Sequence, residues 1–310
     1  MDSMTKIFIL GSGAIGFPLA AYLSDAGRSV VAVRTSREDI PHGIITVSIQ
    51  NGDNQISVPV ETISLSKLPN LDGLIVIATK AYANKAVALA LKGKAATGPI
   101  VIMQNGVGVE KPFLDAHFAP IYRCILYVTG QTTSEYGFTF RPVTSSPIGI
   151  VNGEETDLTK CVEILSTEGF PFHSEANIQR EIWKKAIINS VFNSICPLLD
   201  VDNGIFARDE ETANLARDVV RESVMLTDRL DMRLSESELM EQIMLVSKRS
   251  NGQLISTLQD INVGRETEIE YLNLEIARVA GSLQPSLKLP RVELLGKMIL
   301  AKSLQQRQEP

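Results

Sequence analysis

Cysteine and histidine are scarce in this 310-residue sequence, with three of each. Cys124, Cys161 and Cys196 are odd in number and far apart, which excludes a disulfide framework and suits a reducing compartment. His42, His117 and His173 stand at no ligand spacing, so no metal site is expected. Basic residues form no block, and 30 Lys and Arg against 36 Asp and Glu leave a formal charge of −6. That balance excludes nucleic acid as the main partner while leaving room for a local anion site. No apolar run approaches the ~20 residues needed to span a bilayer, so no membrane is expected either. The first residues lack the basic segment, apolar stretch and small-residue cleavage site of an export signal, and the expected location is the cytoplasm. Internal repeats and low-complexity segments are also missing, and the polar end SLQQRQEP reads as a frayed terminus.

What is present is apolar and long enough for two domains, with 44% hydrophobic and 21% charged residues. The first half alternates short β-branched runs with helical patterns. KIFIL (6–10) and SVVAV (29–33) read as strands flanking a helix from about Ala14 to Ala26, closed by Gly27. GLIVIAT (73–79) and PIVIMQ (99–104) read as further buried strands, separated by an Ala-rich helix over 84–92. Near-continuous apolar strands joined by helices predict a parallel sheet covered on both faces. The aromatic and β-branched stretch YRCILYVTGQTTSEYGFTFRP suggests added strands that close this domain. From about Ile178 the pattern turns helical, in IQREIWKKAIINSVFNSICPLL and the segments after it. A boundary near 170–178 gives domains over 1–175 and 176–310.

KIFILGSGAIGFPLAAYL places Gly11, Gly13 and Gly16 in a G-x-G-x-x-G between an expected strand and an expected helix, the context in which that motif carries meaning. The first glycine permits a tight turn, the second lets a pyrophosphate approach the backbone, and the third lets helix and strand lie close. The helix N-terminus then offers free N–H groups and a positive dipole end to the anion. The alternative is a packing turn in another α/β fold. At the end of the second strand an NAD site usually carries Asp or Glu. Here Arg34 stands there, followed by Thr35, Ser36 and Arg37. A guanidinium at that place pairs with a 2′-phosphate and stacks on adenine, which points to NADP. The competing reading is a solvated surface arginine, with Glu38 and Asp39 partly neutralising the patch.

Further motifs follow in order: IATKAYAN with Lys80, MQNGVG with Asn105 and Gly106, EIWKKAIINSVFN, and STLQDINVGRETEIEYLN. With GSGAIG, this succession resembles the ketopantoate reductase (2-dehydropantoate 2-reductase) family from about residue 6 to residue 300. The resemblance implies an α/β Rossmann N-terminal domain followed by an all-α C-terminal domain like that of 6-phosphogluconate dehydrogenase. It implies NADPH as cofactor, contacted by Gly11, Ser12, Gly13, Ala14, Ile15, Gly16, Arg34, Lys80, Asn105 and Glu268. Lys185 matches the family's catalytic lysine and Glu268 its glutamate; Asn105, Asn189, Asn193 and Ser256 match substrate-binding positions. The spacing independently supports part of this. Residues 185, 189 and 193 fall at i, i+4 and i+8, one polar stripe opposite Ile182, Ala186, Ile187 and Phe192. Such a stripe is otherwise an exposed helix face. On a straight helix Ser256 and Glu268 would lie about 18 Å apart. Gly264 therefore suggests a break, with Glu268 in the first turn of a fresh helix, where its charge would suit the dipole.

The implied reaction is reduction of 2-dehydropantoate to (R)-pantoate, a step of pantothenate and coenzyme A biosynthesis. Lys185 would act as general acid, and the site would lie in a cleft between the domains that closes over the cofactor. A homodimer is the common default. Three segments depart from the family pattern: NSICPLLDVDNGIF after Asn193, Leu274 where a glycine is usual, and GSLQPSLKLPRVE. They lie toward the substrate side, so a reductase of another branched 2-oxo acid is the first alternative. A non-catalytic NADP-binding regulator, or a dehydrogenase of the 6-phosphogluconate or glycerol-3-phosphate type, are the others.

Overall fold

Ile7, Phe8, Ile9 and Leu10 are all buried, the mark of a strand covered on both faces. They form β1 (Ile7–Leu10) in the computed structural model, which describes residues 5–35 and 42–308. Gly27, at φ +72°, closes α1 (Gly16–Asp25), because only a residue tolerant of the left-handed region ends a helix that way cheaply. β2 (Val30–Arg34) then pairs parallel to β1.

Next come two long strands, β3 (Gly43–Asn51) and β4 (Asn54–Ser64), joined as an antiparallel hairpin through Gly52 and Asp53. β5 (Leu74–Ile77), α2 (Asn84–Gly93), β6 (Ile100–Ile102), α3 (Lys111–Asp115) and β7 (Ile121–Cys124) continue the alternation. β8 (Val128–Ser134), β9 (Gly137–Pro142), β10 (Ser146–Asn152), α4 (Glu155–Leu165) and β11 (Phe172–Ser174) complete the unit. Among the described residues one eleven-stranded sheet forms, in the order β11-β10-β7-β6-β5-β1-β2-β4-β3-β9-β8. Its central run from β7 to β4 is parallel throughout, which is the Rossmann-like arrangement. The β8–β9 hairpin extends the edge beyond β3, while β10 and β11 extend the opposite edge. The core joins α1 and α4 to the sheet through Phe17, Leu19, Leu158 and Leu165. A run of rings, Tyr22, Phe140, Phe170 and Phe172, has successive centroids 5.8, 4.8 and 4.8 Å apart.

The remaining chain is helical: α5 (Ile178–Leu199), α6 (Ile205–Arg208), α7 (Glu210–Arg229), α8 (Glu236–Arg249), α9 (Ser256–Asn262), α10 (Asn273–Ser282) and α11 (Pro290–Gln308). Their starts are set by local chemistry. Asp209 accepts from Thr212 N at 2.7 Å to cap α7, and Ser235 accepts from Glu238 N at 3.1 Å to cap α8. The buried Glu222 accepts from the first N–H groups of α11, at Arg291 and Val292. By contacts the chain divides into two compact units, residues 1–104 with 109–178, and residues 105–108 with 179–310. Among the described residues no helix is long and apolar enough to cross a membrane.

Candidate functional site

The glycine turn of the parallel-sheet unit shows three distinct reasons for its glycines. Gly11 holds φ +109°, and a Cβ there would sit 2.5 Å from the backbone N of Thr79. A Cβ on Gly16 would collide with the carbonyl oxygen of Gly11, so helix and strand are in backbone contact. Gly13 is different, because a Cβ there would meet nothing within 4 Å. Its missing side chain opens space rather than relieving a clash. Ile15 precedes α1 without a side-chain cap, and the first turn holds no acidic residue, so the positive helix end is left uncompensated. The hydroxyl of Ser12 is buried with no hydrogen-bond partner, and the carbonyl of Ala14 lies against Gly130 of β8. An uncompensated helix end, an open cradle and an orphan hydroxyl are features that a pyrophosphate fits.

Arg34 ends β2, with its guanidinium carbon 5.3 Å from the Phe17 ring centroid and 5.6 Å from that of Tyr136. Its Nε is buried without a partner. A guanidinium has donors only, so an unsatisfied Nε marks a place where an anion would fit. Ser36, Arg37, Glu38 and Asp39 lie outside the described residues. Among the described residues, no group of three or more His, Cys, Asp or Glu is arranged to hold a metal ion.

Lys80 and Asn105 follow β5 and β6, and the segments leading to them are fixed by a buried amide pair. Asn84 Nδ2 donates to Gln104 Oε1 at 2.7 Å, and Gln104 Nε2 donates back to Asn84 Oδ1 at 2.6 Å. Gln104 Nε2 also reaches the Thr79 carbonyl at 2.7 Å, and Asn84 Nδ2 reaches the Val109 carbonyl at 2.7 Å. Arg123, fully buried and paired with Glu110, donates to the Gln104 carbonyl at 3.2 Å. These side chains are committed to one another and fix the chain at Thr79 and Gln104, just past the ends of β5 and β6. None of Asn84, Glu110 and Arg123 was legible as a positioning group, since an isolated Asn or Arg in a sequence gives no sign of burial.

In the helical unit, Lys185 and Asn189 lie half-buried on α5, one turn apart, and Asn193 below them is 3% exposed. The opposite positions Ile182, Ala186, Ile187 and Phe192 are buried. The two lysines of the WKK motif have different fates. Lys184 pairs with Glu238 of α8 at 2.9 Å, beside an Arg180–Glu238 contact of 2.6 Å. Burial alone would push the Glu238 carboxyl up, but its hydrogen bonds from Lys184 and Arg180 outweigh it and hold the group below its ordinary value.

Asn193 and Ser256 are brought together. Asn193 Oδ1 accepts from Ser256 Oγ at 3.2 Å and from Thr257 N at 3.3 Å, while its Nδ2 donates to the Asn189 carbonyl at 3.0 Å. Its amide thus ties α5 to the start of α9. Among the described residues the Asn189 side chain makes no such commitment.

Glu268 follows a sharp turn. Arg265 pairs with Asp260 at 3.2 Å, Arg265 N donates to the Asp260 carbonyl at 2.8 Å, and Gly264 sits at φ +66°. The break at Gly264 is as the sequence suggests, but the fresh α-helix is not. Glu268 precedes only a three-residue 3-10 turn, Ile269–Tyr271, and α10 starts at Asn273. Three residues make too short a run of aligned peptides for a useful dipole, so that account of Glu268 is corrected. The turn binds the Asn105–Gly108 segment instead. Tyr271 N donates to the Glu268 carbonyl at 3.0 Å, and Val107 N donates to the Tyr271 carbonyl at 2.9 Å. Gly106, at φ +102°, lies so close that a Cβ would stand 2.5 Å from the Tyr271 carbonyl oxygen. Burial raises the Tyr271 phenol, and Glu270, Glu266, Glu268 and Glu275 add to the effect. Lys80, Lys185 and Glu268 each engage other groups of the protein.

Leu274 stands where the family usually has glycine. Its Cδ2 would lie 2.8 Å from a Cβ placed on Gly296 of α11, so a glycine on the partner helix accommodates the larger side chain.

Two family models match in sequence order: ketopantoate reductase PanE/ApbA over residues 7–142 and ketopantoate reductase PanE/ApbA C terminal over residues 177–303. A 2-dehydropantoate 2-reductase of Pyrococcus abyssi is 28% identical over 310 residues, covering 96% of this chain and 97% of that protein. Among solved structures, D-mandelate dehydrogenase in a ternary complex with NADH and anilino(oxo)acetate aligns with a TM-score of 0.83 at 22% identity, covering 97% and 99% of the two chains. A dimeric ketopantoate reductase from Staphylococcus aureus aligns with a TM-score of 0.81 at 20% identity, with the same coverages. The chain belongs to the ketopantoate reductase family of oxidoreductases, with its Rossmann-like parallel-sheet domain followed by its helical C-terminal domain.

Proposed function

We propose that the protein reduces 2-dehydropantoate to (R)-pantoate with NADPH, Lys185 acting as the general acid. The observation that carries the reading is the polar stripe of α5. Lys185 and Asn189 lie half-buried there, above an Asn193 already bonded to Ser256. In this reading the glycine turn from Gly11 to Gly16, with Ser12, Ala14 and Ile15, holds the pyrophosphate. Arg34 takes the 2′-phosphate, and Lys80, Asn105 and Glu268 contact the rest of the cofactor. NADPH, when bound, supplies the hydride that reduces the C2 ketone.

The chain's own residues do the remaining work. As hydride reaches C2, negative charge grows on the carbonyl oxygen. An ammonium aimed at that oxygen stabilises the transition state more than the ground state. Lys185 Nζ then passes its proton to the oxygen, yielding the alcohol and a neutral amine that regains its proton from solvent. Glu268 keeps the ammonium oriented. Asn189 offers an uncommitted amide to the substrate's carboxylate and hydroxyl. Ser256 adds a hydroxyl aligned by Asn193, whose own amide serves as the strut, and Asn105 orients the keto acid. All three cysteines are free and buried, which supports the cytoplasm as the setting. A homodimer completes the proposal, light scattering being its check.

A reductase of another branched 2-oxo acid is the second reading, favoured by Leu274 seated on Gly296. Oxidation of NADPH and NADH, followed by absorbance against a panel of 2-oxo acids, tests both. Fastest turnover is expected with 2-dehydropantoate and NADPH. A different best acid selects the second reading, and turnover with none refutes the enzyme.

A further inference from the structure

We propose that Tyr136, in the turn of the β8–β9 hairpin, is a specificity-determining residue that sets Arg34 for a 2′-phosphate. The inference rests on the NADP reading above and names the part of the chain that produces the preference. Arg34 is the last residue of β2, whereas β8 and β9 are added beyond β3 at the sheet edge. The hairpin nevertheless returns to the glycine turn: a Cβ on Gly130 of β8 would stand 2.7 Å from the Ala14 carbonyl oxygen. Tyr136 is pinned by its backbone, its carbonyl accepting from Ser48 N of β3 at 2.9 Å. Its ring meets Phe17 edge to face, with centroids 6.0 Å apart and planes at 81°. Phe17 is 1% exposed and is itself braced by Phe138 at 5.7 Å. The Arg34 guanidinium therefore lies against one ring buried in the core and a second held to it edge to face.

This arrangement does two things. Ring faces attract a cation within about 6 Å, which fixes the long side chain in one rotamer. They also supply no conventional acceptor for the guanidinium N–H groups, which suit paired phosphate oxygens. Among the described residues the Arg34 side chain makes no hydrogen bond or ion pair, and its Nε is buried without a partner. A guanidinium held by rings, with no acceptor among the described residues, is the form expected of an anion site. Without Tyr136 the guanidinium would keep Phe17 alone and would have to be ordered by the ligand itself.

The test is calorimetric binding of adenosine 2′,5′-bisphosphate and adenosine 5′-monophosphate to the full chain. Wild type, Arg34→Ala, Tyr136→Ala, Tyr136→Leu and Tyr136→Phe are compared. Wild type should prefer the bisphosphate and Arg34→Ala should lose that preference. Tyr136→Ala and Tyr136→Leu should lower the preference about three- to tenfold, the cost of ordering one long side chain, with the monophosphate affinity unchanged. Tyr136→Phe, which keeps the ring face, should match wild type. An unchanged preference in Tyr136→Leu overturns the proposal, as does an equal weakening of both nucleotides. A wild type that does not distinguish the two nucleotides, or an Arg34→Ala variant that still does, refutes the Arg34 reading beneath it.

Discussion

The adjacent lysines of α5 give the most direct test of the proposed chemistry, because the same substitution at each should fail in a different way. Lys184 pairs with Glu238 across to α8, with side chains 19% and 28% exposed. Its replacement by Ala leaves Arg180 on the carboxylate, so the loss is one partly screened ion pair, about 1 kcal/mol. That corresponds to a melting shift of about 2–4 °C for a unit of this size. Turnover should stay within about twofold of wild type, as for most substitutions away from the chemistry. In the proposed mechanism Lys185→Ala removes the ammonium that stabilises the charge growing on the carbonyl oxygen. The expected loss is about 10²–10⁴ in kcat, or roughly 3–5 kcal/mol at about 1.36 kcal/mol per tenfold. Affinity for NADPH and the melting temperature should change little.

The assay pairs steady-state NADPH oxidation with thermal unfolding and a fluorescence titration of NADPH for each variant. Lys185→Met, which keeps the length of the side chain without its charge, should behave as Lys185→Ala. The reasoning is refuted if Lys185→Ala keeps turnover within tenfold of wild type. It is equally refuted if Lys184→Ala loses turnover to the same degree with an unchanged melting temperature.

Gly13→Ala should fold with a near-native melting temperature, since its Cβ enters open space, yet lose dinucleotide affinity; Gly16→Ala should unfold or melt far lower, because its Cβ meets the Gly11 carbonyl. Equal melting temperatures for the two would count against this division. The Glu238 carboxyl is held below its usual range, so its stabilisation is present above the unfolded value of about 4.3 and is lost as pH falls through the folded one. Glu238→Gln should therefore melt below wild type at neutral pH and converge with it in acid, and a constant gap in melting scans would contradict the assignment. Burial pushes the Cys161 and Cys196 thiols up to about 12, so neither should react with iodoacetamide at pH ~8 until the protein is unfolded, as mass spectrometry would read.

The fold was largely legible because its central strands are short, continuous apolar runs whose pattern survives any tertiary context. The β3–β4 hairpin was not picked out, although its alternating runs flank a two-residue turn at Gly52 and Asp53, a recognised hairpin signal. At the site, residue types and local spacing could be read, but long-range partners could not. Asn193 and Ser256 meet from 63 positions apart, and nothing local to either announces the other. The place of Arg34 at the end of β2 suggests an anion, yet the rings that flank it come from α1 and from a hairpin that two further strands separate from β2 in the sheet.

The same structure separates two kinds of residue that a sequence motif mixes. Within Q-D-x-x-x-G-R-x-T-E-I, Asp260, Gly264 and Arg265 have conformational duties: an ion pair, a positive φ and a backbone bond that end α9 and turn the chain. Glu268 then opens the 3-10 turn whose Tyr271 carbonyl holds the segment carrying Asn105. Substituting Arg265 should therefore lower activity through the placement of Glu268 and Asn105, raising KM and lowering melting temperature together. Substituting Glu268 should affect turnover with the fold intact. The spacing from Asp260 to Glu268 is the length of chain needed to end α9 and make one turn.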